Sequence, residues 1–423
     1  MKKLLAAMFA AASCASVAQA QQERLSADTS APILTLEQAV AAAGGAAPSA
    51  DAANAGIKAA QANRTVAGLR PNPVAQAQVE NVAGTGPYSG LRSAETTMGV
   101  ALPIELGGKR SARVAVANAQ LSRAELEAAV AAADVRLQVT SLYVEAISAE
   151  RRLATARDQL RIADDALRAA RVRVQAGRAS PLEEQRADVA RINAAARLER
   201  AARLAEVARL SLARRLGRPI DSGLDVALLD RLPAATYRPT VLPSAFGTLT
   251  LAAADADLAV ADAGIRLARA NRVPDLNVGP ALRRLEATKD TAAVFTVSIP
   301  IPLFNNGKAA VAQASAERSR VEASRRMTAL DVEQAIAEAQ AEAANAETTA
   351  RAAVGPALAA AQEAARIARI GYREGKFGQL DLLDAERTLA DTRVAAIDAL
   401  ANYQNARARL ERLTAPAPQG RNQ

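Results

Sequence analysis

Three side chains near the end of the chain could do chemistry together. Tyr372, Asp381 and Asp384 lie within thirteen residues, and Glu183 stands 198 positions before Asp381. A phenol and carboxylates at a turn can attract cations and accept hydrogen bonds. Equally, acids at the start of a helix can stabilise its positive N-terminus. The spacing leaves both roles open, and a single residue can fulfil both.

The glycines around these residues indicate a chain reversal. Gly371, Gly375 and Gly378 interrupt a pattern that is helical on both sides, which predicts the tip of a long helical hairpin. The same spacing occurs earlier, where Gly177, Leu182 and Glu183 match Gly375, Leu380 and Asp381 at the constant offset of 198. The sequence therefore predicts an internal duplication with two hairpin tips.

The residue types disfavour an enzyme. The chain has no histidine, its one cysteine is Cys14, and neither a Gly-x-Ser-x-Gly motif nor a phosphate-binding loop is present. The acids follow the helical repeat instead of converging on one place. We expect no catalytic residues, no metal site and no cofactor.

Composition and charge narrow the class further. Half of the 423 residues are hydrophobic but aromatic residues make up 2%, so alanine supplies much of the apolar content and the helices should build thin cores. The net charge of +9 would fit nucleic-acid binding. Arginines alternate with acids along the helices, however, and stacking aromatics are scarce, so we expect no nucleic-acid partner.

The first 20 residues have the three parts of a secretory signal peptide. Lys2 and Lys3 precede an apolar run from Leu4 to Ala12, and a small-residue cleavage site ends at Ala20. Cleavage before Cys14 with lipidation of that cysteine is the alternative. Either way, the sequence predicts an exported protein.

The first repeat is expected at residues 21–217. It holds two helices and then strands at about 73–82 and 95–106, in which apolar and polar residues alternate. From Arg110 to Ala176 there are 67 residues without Pro or Gly, which as one helix would extend about 100 Å. The predicted tip is 177–181, and a return helix follows.

A connecting segment at 218–243 leads into the second repeat at 244–413, and 414–423 form a tail. The second repeat has predicted strands at about 274–283 and 292–304 and a tip at 375–379. Pro356 interrupts its long helical stretch, which predicts a break or kink that the first repeat lacks.

The four strands are the membrane candidates, because no apolar run after residue 20 is long enough for a helical span. Four strands cannot close a barrel, and open edges in lipid would be costly. Three copies would supply twelve strands. The alternation predicts that one face contacts lipid; its residues are Ala75, Ala77, Val79, Met98, Val100, Leu102, Leu276, Val278, Phe295, Val297 and Ile299.

Several segments together resemble the TolC family of outer-membrane factors, and most of all its CzcC-like heavy-metal branch. They are Arg70-Pro-Asn-Pro73, Leu102-Pro-Ile-Glu-Leu-Gly-Gly-Lys-Arg110, Ser298-Ile-Pro-Ile-Pro-Leu-Phe-Asn-Asn306 and Gly375 to Arg387. The resemblance implies a mainly α fold with a small β part: a homotrimer with a 12-stranded outer-membrane β-barrel on a long periplasmic α-helical coiled-coil barrel. It also implies a periplasmic membrane-fusion adaptor, an inner-membrane transporter and outer-membrane lipid as partners.

The resemblance also assigns roles to residues. Tyr372, Asp381, Asp384 and Glu183 match the family's periplasmic gate. Gly177, Leu182, Gly375 and Leu380 match the tips that dock the adaptor. Phe377 stands where an arginine is expected, so Lys376 or Arg373 would have to replace it in a latch with the acids.

The expected function is a passive exit duct for heavy-metal cations in a tripartite, RND-type efflux pump of a Gram-negative bacterium. The alternative is an outer-membrane duct for drug efflux or for type I protein secretion. The non-channel alternative is a periplasmic coiled-coil adaptor or structural protein, which would not need four half-apolar strands in one phase.

Overall fold

The computed structural model of the chain describes residues 33–233 and 243–418. The expected signal peptide with Cys14 and Ala20, part of the connecting segment and the last five residues of the tail lie outside the described residues. Two compact units are present. One consists of the residues up to Ala42 with Leu142–Arg231, and the other of Ala43–Ser141 with the residues from Leu232 onward.

The chain is mainly α with a small β part, as the sequence predicts. The α-helices are α1 (Leu36–Ala46), α2 (Pro48–Ala67), α3 (Lys109–Gln175), α4 (Pro181–Leu216), α5 (Leu249–Ala270), α6 (Lys308–Ala352), α7 (Leu358–Arg373) and α8 (Gln379–Leu413). The strands are β1 (Ile33–Leu34), β2 (Val74–Glu80), β3 (Glu95–Ile104), β4 (Gly223–Leu224), β5 (Leu276–Leu285) and β6 (Thr291–Ser298).

The first unit contains a small parallel sheet that the sequence pattern did not reveal. Strands β1 and β4 pair through Ile33 with Gly223 and Leu34 with Leu224. A buried tyrosine joins this sheet to α3: the Tyr143 hydroxyl donates to the Leu34 carbonyl at 2.6 Å and accepts from the Asp225 N–H at 2.8 Å. The capping box at Thr35 and Gln38, which starts α1, is present in both directions.

The hairpin of the first unit is formed by α3 and α4. Helix α3 continues without a break over 67 residues, because no Pro or Gly interrupts it. Near the turn, Leu167 and Ala170 of α3 pack on Ala187 of α4. The small alanine side chains allow a close approach of the two helices, so the core between them is thin.

The second unit contains an antiparallel sheet in the order β2-β3-β5-β6. Directly paired residues point to the same face. Val100 pairs with Ala75, Leu102 with Val278, and Val278 in turn with Val297. One face of all four strands is therefore apolar, and glutamines, threonines and charged residues lie on the other face.

The helices of this unit pack around α8. A buried cluster of Ala245, Leu251, Val332 and Ile336 is covered by Leu410 and Leu413 of α8. Closer to the turn, Ala361 and Ala365 of α7 pack on Leu389. The cores are again built from alanine with few large side chains, as the composition predicts.

Pro356 changes the helix without ending it. Residues Ala353–Ala357 form one π-helical turn between α6 and α7. Proline has no N–H to donate to the preceding turn and its ring crowds the carbonyl four residues earlier. The wider turn accommodates that ring, so the predicted interruption is a local change of helix type.

Among the described residues, no helix combines the length and the apolar character that a membrane crossing requires.

Candidate functional site at the hairpin turns

The turn between α7 and α8 is closed by backbone hydrogen bonds to one glycine. The Gly371 carbonyl accepts from the N–H of Lys376 at 2.8 Å and of Phe377 at 3.2 Å, and Gly375 has the left-handed φ of +74°. A Cβ at Gly371 would lie 2.2 Å from the Phe377 ring. The turn therefore depends on glycine at both positions.

Tyr372 is buried inside this hairpin. Its side chain is 7% exposed and packs with Ala368 of α7 and Leu382 of α8. In the single chain the ring thus contributes to the contact between the two helices. This packing holds the ring against Leu382, which lies between Asp381 and Asp384 in the sequence.

The two aspartates of α8 have different surroundings. The Asp381 carboxylate accepts from the Gly378 N–H at 2.9 Å, so it caps the first turn of the helix. Asp384 is exposed, and within the described part of the chain its side chain makes no hydrogen bond or ion pair. Asp381 therefore has a structural role, whereas Asp384 presents its charge to water.

An ion pair between a partly exposed arginine and a buried glutamate lies beneath the turn and was not anticipated from the sequence. Arg369 of α7 forms a two-pronged interaction with Glu386 of α8, with Nη2 to Oε2 at 2.8 Å. Glu386 is 6% exposed. The hydrogen bonds that Arg369 donates to the Glu386 carboxylate, opposed by burial, raise the pKa of Arg369.

The basic residues near the turn already have contacts. Lys376 forms an ion pair with Glu374 at 2.8 Å, and the Arg373 Nε donates to the Arg369 carbonyl. Phe377 is partly exposed beside them. The structure thus brings no base to Asp384, and the predicted replacement latch stays a prediction.

The first turn repeats this backbone geometry. Gly177 has a φ of +69°, and its N–H donates to the Val174 carbonyl just as the Gly375 N–H donates to that of Tyr372. The Arg178 N–H reaches the Arg173 carbonyl at 2.8 Å, matching the bond from Lys376 to Gly371 at the same offset of 198. The two turns are structural equivalents.

The side chains at the first turn make contacts equivalent to those at the second turn, although the residue types differ. The Ser180 hydroxyl accepts from the Leu182 N–H and caps α4, at the position equivalent to Gly378. Arg171, the counterpart of Arg369, pairs with Glu184 at 3.1 Å. Both turns therefore combine a left-handed glycine, a helix cap and an arginine that bridges to the return helix.

The leucines predicted to dock a partner are exposed at both turns. Leu182 is 54% exposed and Leu380 is 59% exposed. Each is the second residue of its return helix. Two equivalent exposed apolar side chains, one at each turn, are suited to contact another helical hairpin.

The predicted gate residues fall in different units. Tyr372, Asp381 and Asp384 belong to the second unit, and half-buried Glu183 belongs to the first. Within the described residues, no three His, Cys, Asp or Glu side chains are grouped as ligands of a metal ion would be.

Comparison with known proteins identifies the family. The family model described as outer membrane efflux protein matches residues 43–218 and 248–415. The cobalt-zinc-cadmium resistance protein CzcC of Cupriavidus metallidurans is 29% identical over 381 residues, which cover 90% of each chain. The nickel and cobalt resistance protein CnrC of the same organism is 30% identical over 284 residues, which cover 66% of this chain and 67% of that protein.

Solved structures have the same fold. The open state of the Neisseria gonorrhoeae MtrE outer membrane channel superposes with a TM-score of 0.73 at 22% identity, over 90% of this chain and 88% of the other. The Vibrio cholerae outer membrane protein VceC gives 0.71 at 19% identity, over 90% and 96%. The family match covers far more than half of the sequence, as the resemblance predicted: the chain belongs to the outer membrane efflux protein family and is an outer-membrane protein with a large periplasmic helical part.

Proposed function

We propose that three copies of this chain form an outer-membrane channel that serves as the passive exit duct of a tripartite, RND-type efflux pump for heavy-metal cations. The family is one of transport channels and not of enzymes. The observation that carries the proposal is the exposed apolar face of the β2-β3-β5-β6 sheet, together with its two open edges.

In the single chain the apolar face of the sheet is exposed, and contact of so much apolar surface with water is unfavourable. Met98, Leu282, Phe295 and Val297 are each more than half exposed, and strand pairing puts them on one side of the sheet. Contiguous apolar patches of this kind mark contact with membrane or protein. Lipid as the partner explains why the face extends over all four strands.

The sheet edges favour a trimer. Within the described residues, β2 pairs with β3 and β6 pairs with β5, so each outer strand has one edge without a partner. Open edges in lipid leave backbone groups unsatisfied at several kcal/mol each. Pairing of β6 with β2 of the next copy would close a barrel of twelve strands.

The proposed periplasmic part of the trimer is supported by the duplicated hairpins. The repeats at 21–217 and 244–413 each contribute one long helical pair to a periplasmic duct. Their tips, with Gly177, Leu182, Gly375 and Leu380, dock a membrane-fusion adaptor that connects the duct to an inner-membrane transporter. Tyr372, Asp381, Asp384 and Glu183 form the gate at the same end.

The proposed cargo rests on the relatives. CzcC and CnrC are named for resistance to cobalt, zinc, cadmium and nickel. A water-filled duct requires no metal ligands to conduct such cations. Deletion of the gene should increase sensitivity to these metals, and complementation should restore resistance. Unchanged metal resistance with increased sensitivity to drugs would instead assign drug efflux.

The membrane arrangement is tested by cysteine labelling. Cysteines replacing Tyr88 and Thr288, in the exposed loops of the two strand hairpins, should react with a membrane-impermeant maleimide on intact cells. Cysteines replacing Arg178 and Lys376 at the helical turns are the matched controls and should react after permeabilisation. Labelling of the turns but not of the loops on intact cells would contradict the proposed orientation.

A further inference from the structure

The positive charge of the chain is concentrated where the strands meet the helices. We define the junction belt as residues 61–73 and 105–114 of the first repeat with their counterparts 263–275 and 304–313 of the second. The belt contains nine Lys or Arg and two acids, a net charge of +7. Residues 21–423 as a whole also carry +7, so the remainder of these residues is balanced. The sequence pattern had suggested that basic residues were dispersed.

The opposite end of the sheet has no such excess. Residues 80–95 and 283–291, which flank the two strand loops, contain four basic and four acidic residues. Arg283 there contacts Glu95 at 2.9 Å and Glu80 at 3.2 Å. The apolar face thus lies between a neutral end and a strongly positive end.

The two acids of the belt are already neutralised. Asp275 pairs with Lys109 at 2.7 Å and accepts from the Leu106 N–H, and Glu105 pairs with Arg113 through both oxygens. These contacts join the end of β3, the start of α3 and the start of β5. The acids therefore do not compensate the remaining arginines of the belt.

Four exposed arginines of the belt lack partners inside the described chain. The side chains of Arg64, Arg70, Arg266 and Arg269 make no hydrogen bond or ion pair there, and Arg64 and Arg266 are equivalent in the two repeats. Arg110 and Arg272 use their Nε for the carbonyls of Gly68 and Asn306. Each of these two keeps guanidinium N–H groups for a further acceptor.

A cavity of about 460 Å³ opens beside two of these arginines. Arg64 and Arg110 line it together with Gln61 and Thr65, and Leu69 and Val114 supply apolar walls. Leu69 is 59% exposed and lies five residues before the first residue of β2. Guanidinium groups beside apolar side chains at the end of a lipid-facing sheet suit a ligand with a phosphate and acyl chains.

We propose that the junction belt binds anionic phospholipid of the periplasmic leaflet, with phosphate groups held by Arg64, Arg70 and Arg110 and acyl chains against Leu69 and the apolar face. The inference rests on the proposed function, because the strands must span the membrane to bring the belt to the headgroups. The belt would then fix the depth of the trimer in the membrane, since the neutral loop end offers no equivalent attachment.

The test uses the purified full-length protein in detergent, with phosphatidylglycerol as the probe and native mass spectrometry as the readout. The variant Arg64→Gln with Arg70→Gln removes two charges that support no internal contact. Each arginine near an anionic surface contributes about a fivefold gain in affinity, so the variant should bind phosphatidylglycerol about 30-fold more weakly. Arg92→Gln with Arg284→Gln, at the loop end, is the matched control and should bind as the wild type does.

Three results would overturn the inference. An equal loss of phosphatidylglycerol binding in the control variant would show that the lipid is attracted by the overall positive charge of the protein and not by the junction belt. Equal binding of inorganic phosphate, or of zwitterionic phosphatidylcholine, would remove the requirement for an anionic lipid. Dissociation of the lipid-free Arg64→Gln, Arg70→Gln trimer would assign the surface to contact between copies. Loop labelling of the same variant on intact cells separates failure of this inference from failure of the proposed channel.

Discussion

At the scale of single residues, Tyr143 shows how a contact between distant parts of the sequence fixes the first unit. The side chain is fully buried, and its hydroxyl joins the carbonyl of Leu34 to the N–H of Asp225. Burial raises the pKa of Tyr143 to about 12. The hydroxyl therefore stays protonated and keeps both hydrogen bonds at physiological pH.

Tyr143→Phe should lower the free energy of unfolding by about 1–3 kcal/mol at pH 7, because two buried backbone groups lose their partner. The pKa is raised on folding, so this contribution is complete below pH 10, the ordinary tyrosine pKa, and is lost as the pH rises towards 12. Urea unfolding from pH 7 to 11.5 should show the difference between variant and wild type shrinking above pH 10. Tyr88→Phe, in an exposed loop, is the control; a constant difference would contradict the assignment.

The two aspartates of α8 can be separated experimentally because one caps the helix and the other does not. Asp381→Ala removes the acceptor of the Gly378 N–H and should cost about 1 kcal/mol locally. Hydrogen exchange of residues 374–384 should then be about fivefold faster. Asp384→Ala should leave that exchange unchanged. Equal acceleration in both variants would mean that charge at the helix start matters more than the cap.

The sequence indicated both turns and their acids because glycine spacing and helix signals are local. It did not indicate Tyr143 or the pair of Arg369 with Glu386. Those contacts depend on which faces of separate elements meet, and one tyrosine or arginine among many gives no sign of its partner. The β1-β4 pairing was not predicted either, because two-residue strands are too short to show an alternating pattern.

At the scale of elements, the period-two alternation predicted strands and their facing correctly. The pairing of Val278 with Leu102 and with Val297 puts residues of the expected apolar set on one face, and Leu282 joins them. The fourth strand ends at Ser298, although alternation continues to about residue 304. Pro300 and Pro302 explain the difference, because neither can donate to a neighbouring strand.

Gly99 shows a limit of the pattern. On alternation alone we expect an arginine at this position, on the polar face, to be tolerated. A Cβ there would lie 2.4 Å from that of Ala281 and 2.7 Å from the Pro280 carbonyl oxygen. The close approach of β3 and β5 therefore requires glycine, and a substitution would test crowding instead of the facing of the strand.

Neighbouring positions in β6 give a cleaner test of the facing. Val297→Arg puts a charge on the apolar side and should cost about 2–4 kcal/mol near the membrane midplane, which should reduce the yield of heat-resistant trimer in outer membranes. Ser298→Arg, one residue later and on the polar side, should assemble nearly as the wild type does. The opposite ranking would reverse the assigned faces.

At the scale of the whole molecule, the proposed trimer converts single exposed groups into rings. In that trimer, one Asp384 per chain would give three carboxylates around the axis of a narrow, water-filled mouth. Its carboxylate has no partner within the described residues, so its charge is available to mobile cations. The Asp381 carboxylate, in contrast, accepts a hydrogen bond from the Gly378 N–H, and its charge also stabilises the N-terminus of α8.

Asp384→Asn should therefore change conduction without changing stability. Removal of three charges near one axis should weaken block by a trivalent cation such as hexaamminecobalt(III) at least about tenfold, because each charge acts over a distance comparable to the Debye length. Resting conductance in planar bilayers should rise, because the proposed gate relies on these acids to keep the mouth closed. Glu317→Gln, which removes an acid paired with Arg320 on α6, is the control of equal charge. Unchanged conductance and block in Asp384→Asn, with trimer stability intact, would leave this aspartate as a solvated residue of the return helix and would remove it from the proposed gate.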